Sequence, residues 1–166
     1  MSKLAPSLTI AQVDYADPAD GEALIALLDA YARDPMGGGH GLSDETRRTL
    51  LGELAQVPGA FSLLARVDGE PAGLANCFTG FSTFAAAPLI NIHDVAVLAE
   101  YRGKGLGKAL MQAIEAQAKA RGACKITLEV LSGNDTAKAL YAQLGYGDYQ
   151  LDPETGHALF WQKTLT

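Results

Sequence analysis

Apolar and polar residues alternate from Leu8 to Val13, which predicts a short first strand. Asp17-Pro18 then reads as an N-cap with proline at the first helical position. Leu24, Leu27, Leu28 and Tyr31 follow at helical spacing, so a helix runs to about Arg33. The run Pro35-Met36-Gly37-Gly38-Gly39-His40-Gly41 holds no regular structure. Ser43 opens a second helix, with Asp44 and Glu45 at its positive end, and Pro58-Gly59 closes it.

From Phe61 the period changes. Phe61 to Val67, Asp68-Gly69 and Ala72 to Thr79 read as a β-hairpin, because Asp-Gly suits the positive φ angles of a tight turn. Ile90 to Val97 is the next strand. A helix with Leu106, Leu110, Ala113, Ile114 and Gln117 on one face follows, and Gly122 sits where a C′ glycine ends it. Lys125 to Leu131 reads as a strand, and Asn134 or Asp135 caps a last helix with Ala137, Leu140, Tyr141 and Leu144 inward. Gly145 stops that helix, and His157 to Thr164 reads as a final strand. No linker or repeat interrupts the pattern, so residues 1–166 read as one α/β domain.

Composition narrows the function classes. Of 166 residues, 48% are hydrophobic and 19% charged, which excludes a disordered chain. A formal charge of −6 argues against neutralising nucleic-acid phosphates, so no nucleic-acid partner is expected. Cys77 and Cys124 each lie in an apolar run and read as buried free thiols in a reducing compartment. No apolar stretch approaches a membrane span and the N-terminus lacks a signal core, so a soluble cytoplasmic protein is expected. A homodimer is left open beside a monomer.

The candidate chemistry lies where Ile92-His93-Asp94-Val95-Ala96-Val97 runs into Arg102-Gly103-Lys104-Gly105-Leu106-Gly107 and a helix. Glycines let backbone approach a ligand, and a helix N-terminus offers unpaired N–H groups. Arg102, Lys104 and Lys108 add positive charge, and a pyrophosphate is the natural occupant. A P-loop fails, because Gly107-Lys108 is followed by Ala109 and Arg102 stands where the first glycine belongs. The dinucleotide fingerprint fails too, since Lys108 or Leu110 occupies its last position. What fits is Arg-x-x-Gly-x-Gly directly after a strand.

This segment resembles the acyl-coenzyme A pyrophosphate loop of the GCN5-related N-acetyltransferase (GNAT) superfamily, with Val95-Ala96-Val97 in the place of its fourth strand. Asn134, Ala137, Leu140, Tyr141 and Gly145-Tyr146 resemble the family's second signature, and together the two cover about residues 89 to 147. The resemblance implies a central mixed, mostly antiparallel sheet with helices on both faces. It implies that the backbone N–H groups of Gly103, Lys104, Gly105, Leu106 and Gly107 hold the pyrophosphate of acetyl-coenzyme A. The pantetheine arm would lie along Val95 to Val97 like an added strand, with Asn134 also on the cofactor side. A backbone N–H there would stabilise the oxyanion of the reacting carbonyl.

The implied activity is acetyl transfer to a primary amine of a small molecule or peptide, by direct attack in a ternary complex. Tyr141 falls on the family's tyrosine, placed to protonate the departing thiolate. The base is open among His93, Asp94, Glu129 and water. His93 is preferred, since neutral imidazole accepts a proton at pH 7, and strand alternation puts His93 and Asp94 on opposite faces. His40 and His157 stand alone, and no spacing suggests a metal. Phe78, Phe81 and Phe84 read as part core and part acceptor wall. By family analogy the glycine-rich loop from Asp34 to Leu42 borders the acceptor as a movable lid. Two other readings compete with this one. One is a non-catalytic acyl-coenzyme A sensor, the other an enzyme acetylating a protein or aminoacyl-tRNA.

Overall fold

Asp17 accepts the Asp20 amide at 2.9 Å and starts helix α1 (Pro18–Arg33), as the Asp-Pro pair predicts. Ser43 does the same for α2 (Asp44–Gln56) by accepting from the Thr46 amide. The computed structural model describes residues 6–150 and 152–165. They fall into two compact units, one ending at Leu128 and the other beginning at Glu129.

The first unit is built on a five-stranded sheet in the order β1 (Leu8–Gln12), β2 (Ala60–Val67), β3 (Glu70–Ser82), β4 (Ala87–Val97), β5 (Ile126–Leu128). All neighbours are antiparallel except β4 and β5, which run parallel. The Asp-Gly turn joins β2 to β3 with φ of +52° at Asp68 and +90° at Gly69, the left-handed pair a two-residue hairpin needs.

Each sheet face has its own helix cover. Leu64 and Leu74 pack with Leu24 and Leu27 of α1, and Leu50 and Leu51 of α2 close over that cluster. On the other face lies α3 (Leu106–Ala120), which buries Leu106, Leu110, Met111, Ile114 and Ala118. Gly73 of β3 sets how close α3 comes. A Cβ there would stand 2.9 Å from the Ala96 carbonyl oxygen and 3.1 Å from Leu110 Cδ1. Gly122, at φ +70°, follows the helix end as expected.

The second unit holds α4 (Asp135–Gln143), capped by the Asn134 side chain on the Ala137 amide at 3.2 Å. Ala137, Leu140, Tyr141 and Leu144 are its half-buried positions, matching the predicted stripe. Gly145 at φ +89° ends it, and the Tyr146 N–H returns to the Tyr141 carbonyl. Two expected strands differ. The fifth strand stops at Leu128 rather than Leu131. Residues 157–164 form no strand, because one backbone bond, Ala158 N–H to Tyr149 O at 2.9 Å, is not a ladder. An apolar run supplies a face to bury, but only a neighbouring strand supplies the bonds.

Candidate active site

Between β3 and β4 the register slips by one residue. Asn76 pairs with Asp94 and Cys77 with Ile92, which leaves His93 as the extra residue of a β-bulge. The bulge reverses the facing of everything after it. Phe78 and Asn76 are two apart on β3 and share a face. The His93 ring lies edge-on to Phe78, with centroids 5.6 Å apart, and the Asn76 amide donates to Asp94 Oδ2 at 3.0 Å. His93 and Asp94 therefore lie on the same side of the sheet, the α1 side. The opposite-face expectation fails because strand alternation does not survive an inserted residue.

Beyond the bulge, β4 keeps a strand partner on one side only among the described residues. Its pairing with β5 covers Ile90 to Ile92. The Leu98 amide donates to Ala72 O at 2.9 Å, so by antiparallel alternation Ala96 and Asp94 turn their peptide groups toward β3. Val95 and Val97 turn theirs to the opposite edge. That edge leads into a 3-10 turn over Ala99–Tyr101 and then to Gly103 and Gly105, both left-handed at φ +72° and +86°. A Cβ at either glycine would meet nothing within 4 Å. Gly105 is the N-cap of α3 and offers no side-chain acceptor, and no acidic residue occupies the first turn. The helix start thus keeps its N–H groups and positive potential for an anion.

The cations of this turn differ in their engagement. Arg102 donates from Nε to Val97 O at 2.9 Å and from its guanidinium to Asp34 Oδ2 at 3.0 Å. Lys104 reaches the Glu100 carbonyl at 2.8 Å and lies over the Tyr101 ring. Gly107 follows Leu106 in the first turn of α3, half-buried, and Lys108 is exposed. A cleft of about 290 Å³ lies on the α1 side, with Tyr31, Asp34, Leu74, Ala96, Val97 and Arg102 among its walls. Burial, with the Asp94 and Asp34 carboxylates adding to it, pushes the Tyr31 phenol up.

The loop read as a movable lid is pinned at both ends. Asp34 takes the Met36 amide and Arg102, which hold its carboxyl below the usual range. Asp29 receives Arg33, the Leu42 amide at 2.8 Å and Arg47, and its carboxyl falls to about 2. A Cβ at Gly37 would run into the Tyr31 carbonyl and one at Gly41 would push against the Arg33 and Asp29 side chains, while Gly38 and Gly39 have space around them but left-handed backbone. Here the glycines serve close packing as much as freedom.

The acetyltransferase (GNAT) family profile matches residues 22–146, most of the chain. The chain belongs to the GNAT acetyltransferase family. Among curated relatives of this GNAT chain is an N-alpha-acetyltransferase of Sulfurisphaera tokodaii, 33% identical over 105 residues, covering 59% of this chain and 62% of the relative. A streptothricin acetyltransferase of Streptomyces lavendulae is 35% identical over 85 residues, covering 51% and 43%. Across the first three curated relatives the GNAT chain spans 35%, 62% and 55% of their lengths. A solved aminoglycoside N-acetyltransferase in complex with coenzyme A shares the fold, with a TM-score of 0.74 at 18% identity over 99% of this chain and 100% of that one.

The other residues read from the sequence fall as follows in the GNAT chain. Asn134 and Tyr141 belong to the second unit, where Asn134 caps α4 and the Tyr141 ring lies 6.0 Å from that of Tyr146. Glu129 lies past the end of β5 and is exposed, so it is not a strand residue. Phe78 is half-buried, but Phe81 and Phe84 are 62% and 92% exposed at the β3–β4 hairpin tip, outside any core. Cys77 is a buried thiol pushed up to about 12 by desolvation, whereas Cys124 is exposed, against expectation. Sequence reasoning passed over Tyr15, Ser62 and Asn76. Ser62 and Asn76 stand out only as single polar residues inside apolar runs.

Proposed function

We propose that the chain transfers an acetyl group from acetyl-coenzyme A to a primary amine of a small molecule or peptide. The observation that carries this reading is the outward-turned edge of β4 at Val95 and Val97, running directly into the uncapped start of α3. A thioester-linked arm needs directional backbone partners, and a pyrophosphate needs the helix start and its glycines. On this reading Gly103, Lys104, Gly105, Leu106 and Gly107 hold the pyrophosphate through backbone N–H groups, with Lys108 and Arg102 as nearby charge. Val95, Ala96 and Val97 carry the arm, and Asn134 lies on the cofactor side.

His93 and Asp94 then border the acceptor nitrogen from one face, and one of them removes its proton. The nitrogen lone pair forms the new C–N bond, the C–S bond breaks, and Tyr141 gives its proton to the sulfur. The activity is placed in the cytoplasm. A small-molecule acceptor is supported by relatives named for streptothricin and aminoglycosides. The test is coenzyme A thiol release from acetyl-coenzyme A with sisomicin, spermidine and a peptide with a free N-terminus. Release with at least one amine, and none without an amine, is expected. A chain that binds the coenzyme and releases no thiol is a sensor instead.

A further inference from the structure

We propose that Asn76, itself held by Ser62 and Tyr15, is a positioning residue that fixes the Asp94 carboxylate as acceptor of the amine's proton. This rests on the acetyl-transfer reading above and selects Asp94 over His93.

Ser62 and Asn76 are only 1% and 4% exposed, deep among apolar strand residues. Polar side chains so placed are costly unless bonded. They form one directed chain. Ser62 Oγ gives its single proton to Asn76 Oδ1 at 2.6 Å, so the Tyr15 hydroxyl, 2.8 Å away, donates to Ser62. The Asn76 oxygen is thereby occupied, and its Nδ2 donates to Asp94 Oδ2 at 3.0 Å. Every donor points the same way, and the row ends on a carboxylate, which when ionised only accepts. Burial pushes the Tyr15 phenol up, in keeping with a hydroxyl that keeps its proton for donation.

Register explains why this row exists. Ser62 pairs with Asn76 across β2 and β3, and Asn76 pairs with Asp94 across β3 and β4. Without the bulge at His93, Asp94 would face α3, and the Asn76 amide would be buried with no acceptor. The bulge and Asn76 are a matched pair. Asp94 also shares its face with Ala96, two residues on, and Ala96 lines the cleft together with Leu74. The row engages Oδ2, which leaves Oδ1 to receive the proton as the C–N bond forms. The resulting carboxylic acid returns that proton to solvent.

A double-mutant cycle on the full chain tests this, with sisomicin, spermidine and the free-N-terminus peptide as acceptors. Asn76→Ala is expected to lower kcat/KM for the amine by about tenfold or more, with KM for acetyl-coenzyme A unchanged within about twofold. Asp94→Asn keeps an oxygen for Asn76 to bond and removes the base. In its background, Asn76→Ala is expected to cost no more than about a further twofold, because nothing remains to position. Losses that multiply in the double variant overturn the proposal, as does an acetyl-coenzyme A KM that rises alongside the amine's. Should Asn76→Ala not fold, Ser62→Ala reads the same row, with activity expected to fall and Ser62→Thr to restore it. An unmodified chain that acetylates none of the amines overturns the proposed function. An active chain indifferent to Asn76→Ala overturns this inference alone.

Discussion

Arg102 and Asp34 meet at 3.0 Å across 68 residues of sequence, tying the end of the β4 edge to the loop after α1. The same guanidinium holds the Val97 carbonyl, so Arg102 closes one end of the edge along which the thioester arm is proposed to run. Asp34 and a phosphate would compete for the charge of this guanidinium.

Asp34→Asn therefore tightens coenzyme A binding. Asparagine still accepts from the Met36 amide, so the loop start keeps its cap while the charge holding Arg102 is gone. The pair is partly exposed, so the gain is about fivefold in dissociation constant at most, or about 1 kcal/mol. Titration calorimetry reads it, and weaker binding in the variant would show that Arg102 does not exchange partners.

Gly105→Asp abolishes coenzyme A binding while the fold persists. A Cβ at this φ of +86° meets nothing within 4 Å, so the main cost to folding is the left-handed backbone, about 1 kcal/mol. A carboxylate at the start of α3 opposes any phosphate. Thermal melts with and without coenzyme A should show a ligand shift in the parent and none in the variant.

Tyr141→Phe keeps the aromatic packing beside Tyr146 and removes the hydroxyl. If that hydroxyl protonates the leaving thiolate, kcat falls by about 10²–10⁴ with coenzyme A affinity unchanged. Steady-state rates beside calorimetry separate the two, and a full-rate variant would make Tyr141 a packing residue.

Stability depends on pH through Asp29. Its folded carboxyl sits at about 2, held there first by Arg33, then by the Leu42 amide and Arg47, below the value of about 3.9 of an unfolded chain. A depressed pKa gives stability that is complete above about pH 4 and is lost as pH falls toward about 2. Asp29→Asn is thus expected to melt lower than the parent at pH 7, and the two melting temperatures should converge at low pH. A constant gap across that window would place the contribution in hydrogen bonding rather than charge.

Local signals were readable wherever the cause is local. Asp17, Ser43 and Asn134 each bond an amide within three residues of themselves, and Asp68-Gly69 carries its own turn geometry. The glycine turn before α3 was readable for the same reason. The bulge was not, because nothing about His93 alone says that β3 will pair around it. Ser62 and Asn76 become neighbours only through the sheet register, and Tyr15 reaches Ser62 from the turn after β1. Residues 157–164 show the converse, an apolar run from Ala158 to Trp161 that forms no ladder.

Gly73 carries a consequence for anyone who would diversify this chain in the laboratory. It is an unremarkable letter in an apolar run, and a library built on hydrophobicity would replace it with alanine or valine. Yet even one added carbon would collide with the backbone oxygen of Ala96, an atom that cannot swing aside as a side-chain tip can. To relieve the collision, β4 must part from β3 or α3 must lift away from the sheet. Either movement displaces the strand edge or the helix start, though Gly73 touches no substrate on the proposed reading. A survey scored by turnover would count position 73 as part of the active site. One scored by folding alone would count it as core. Comparing the two scores at this position measures how rigidly the sheet hands its spacing on to the chemistry.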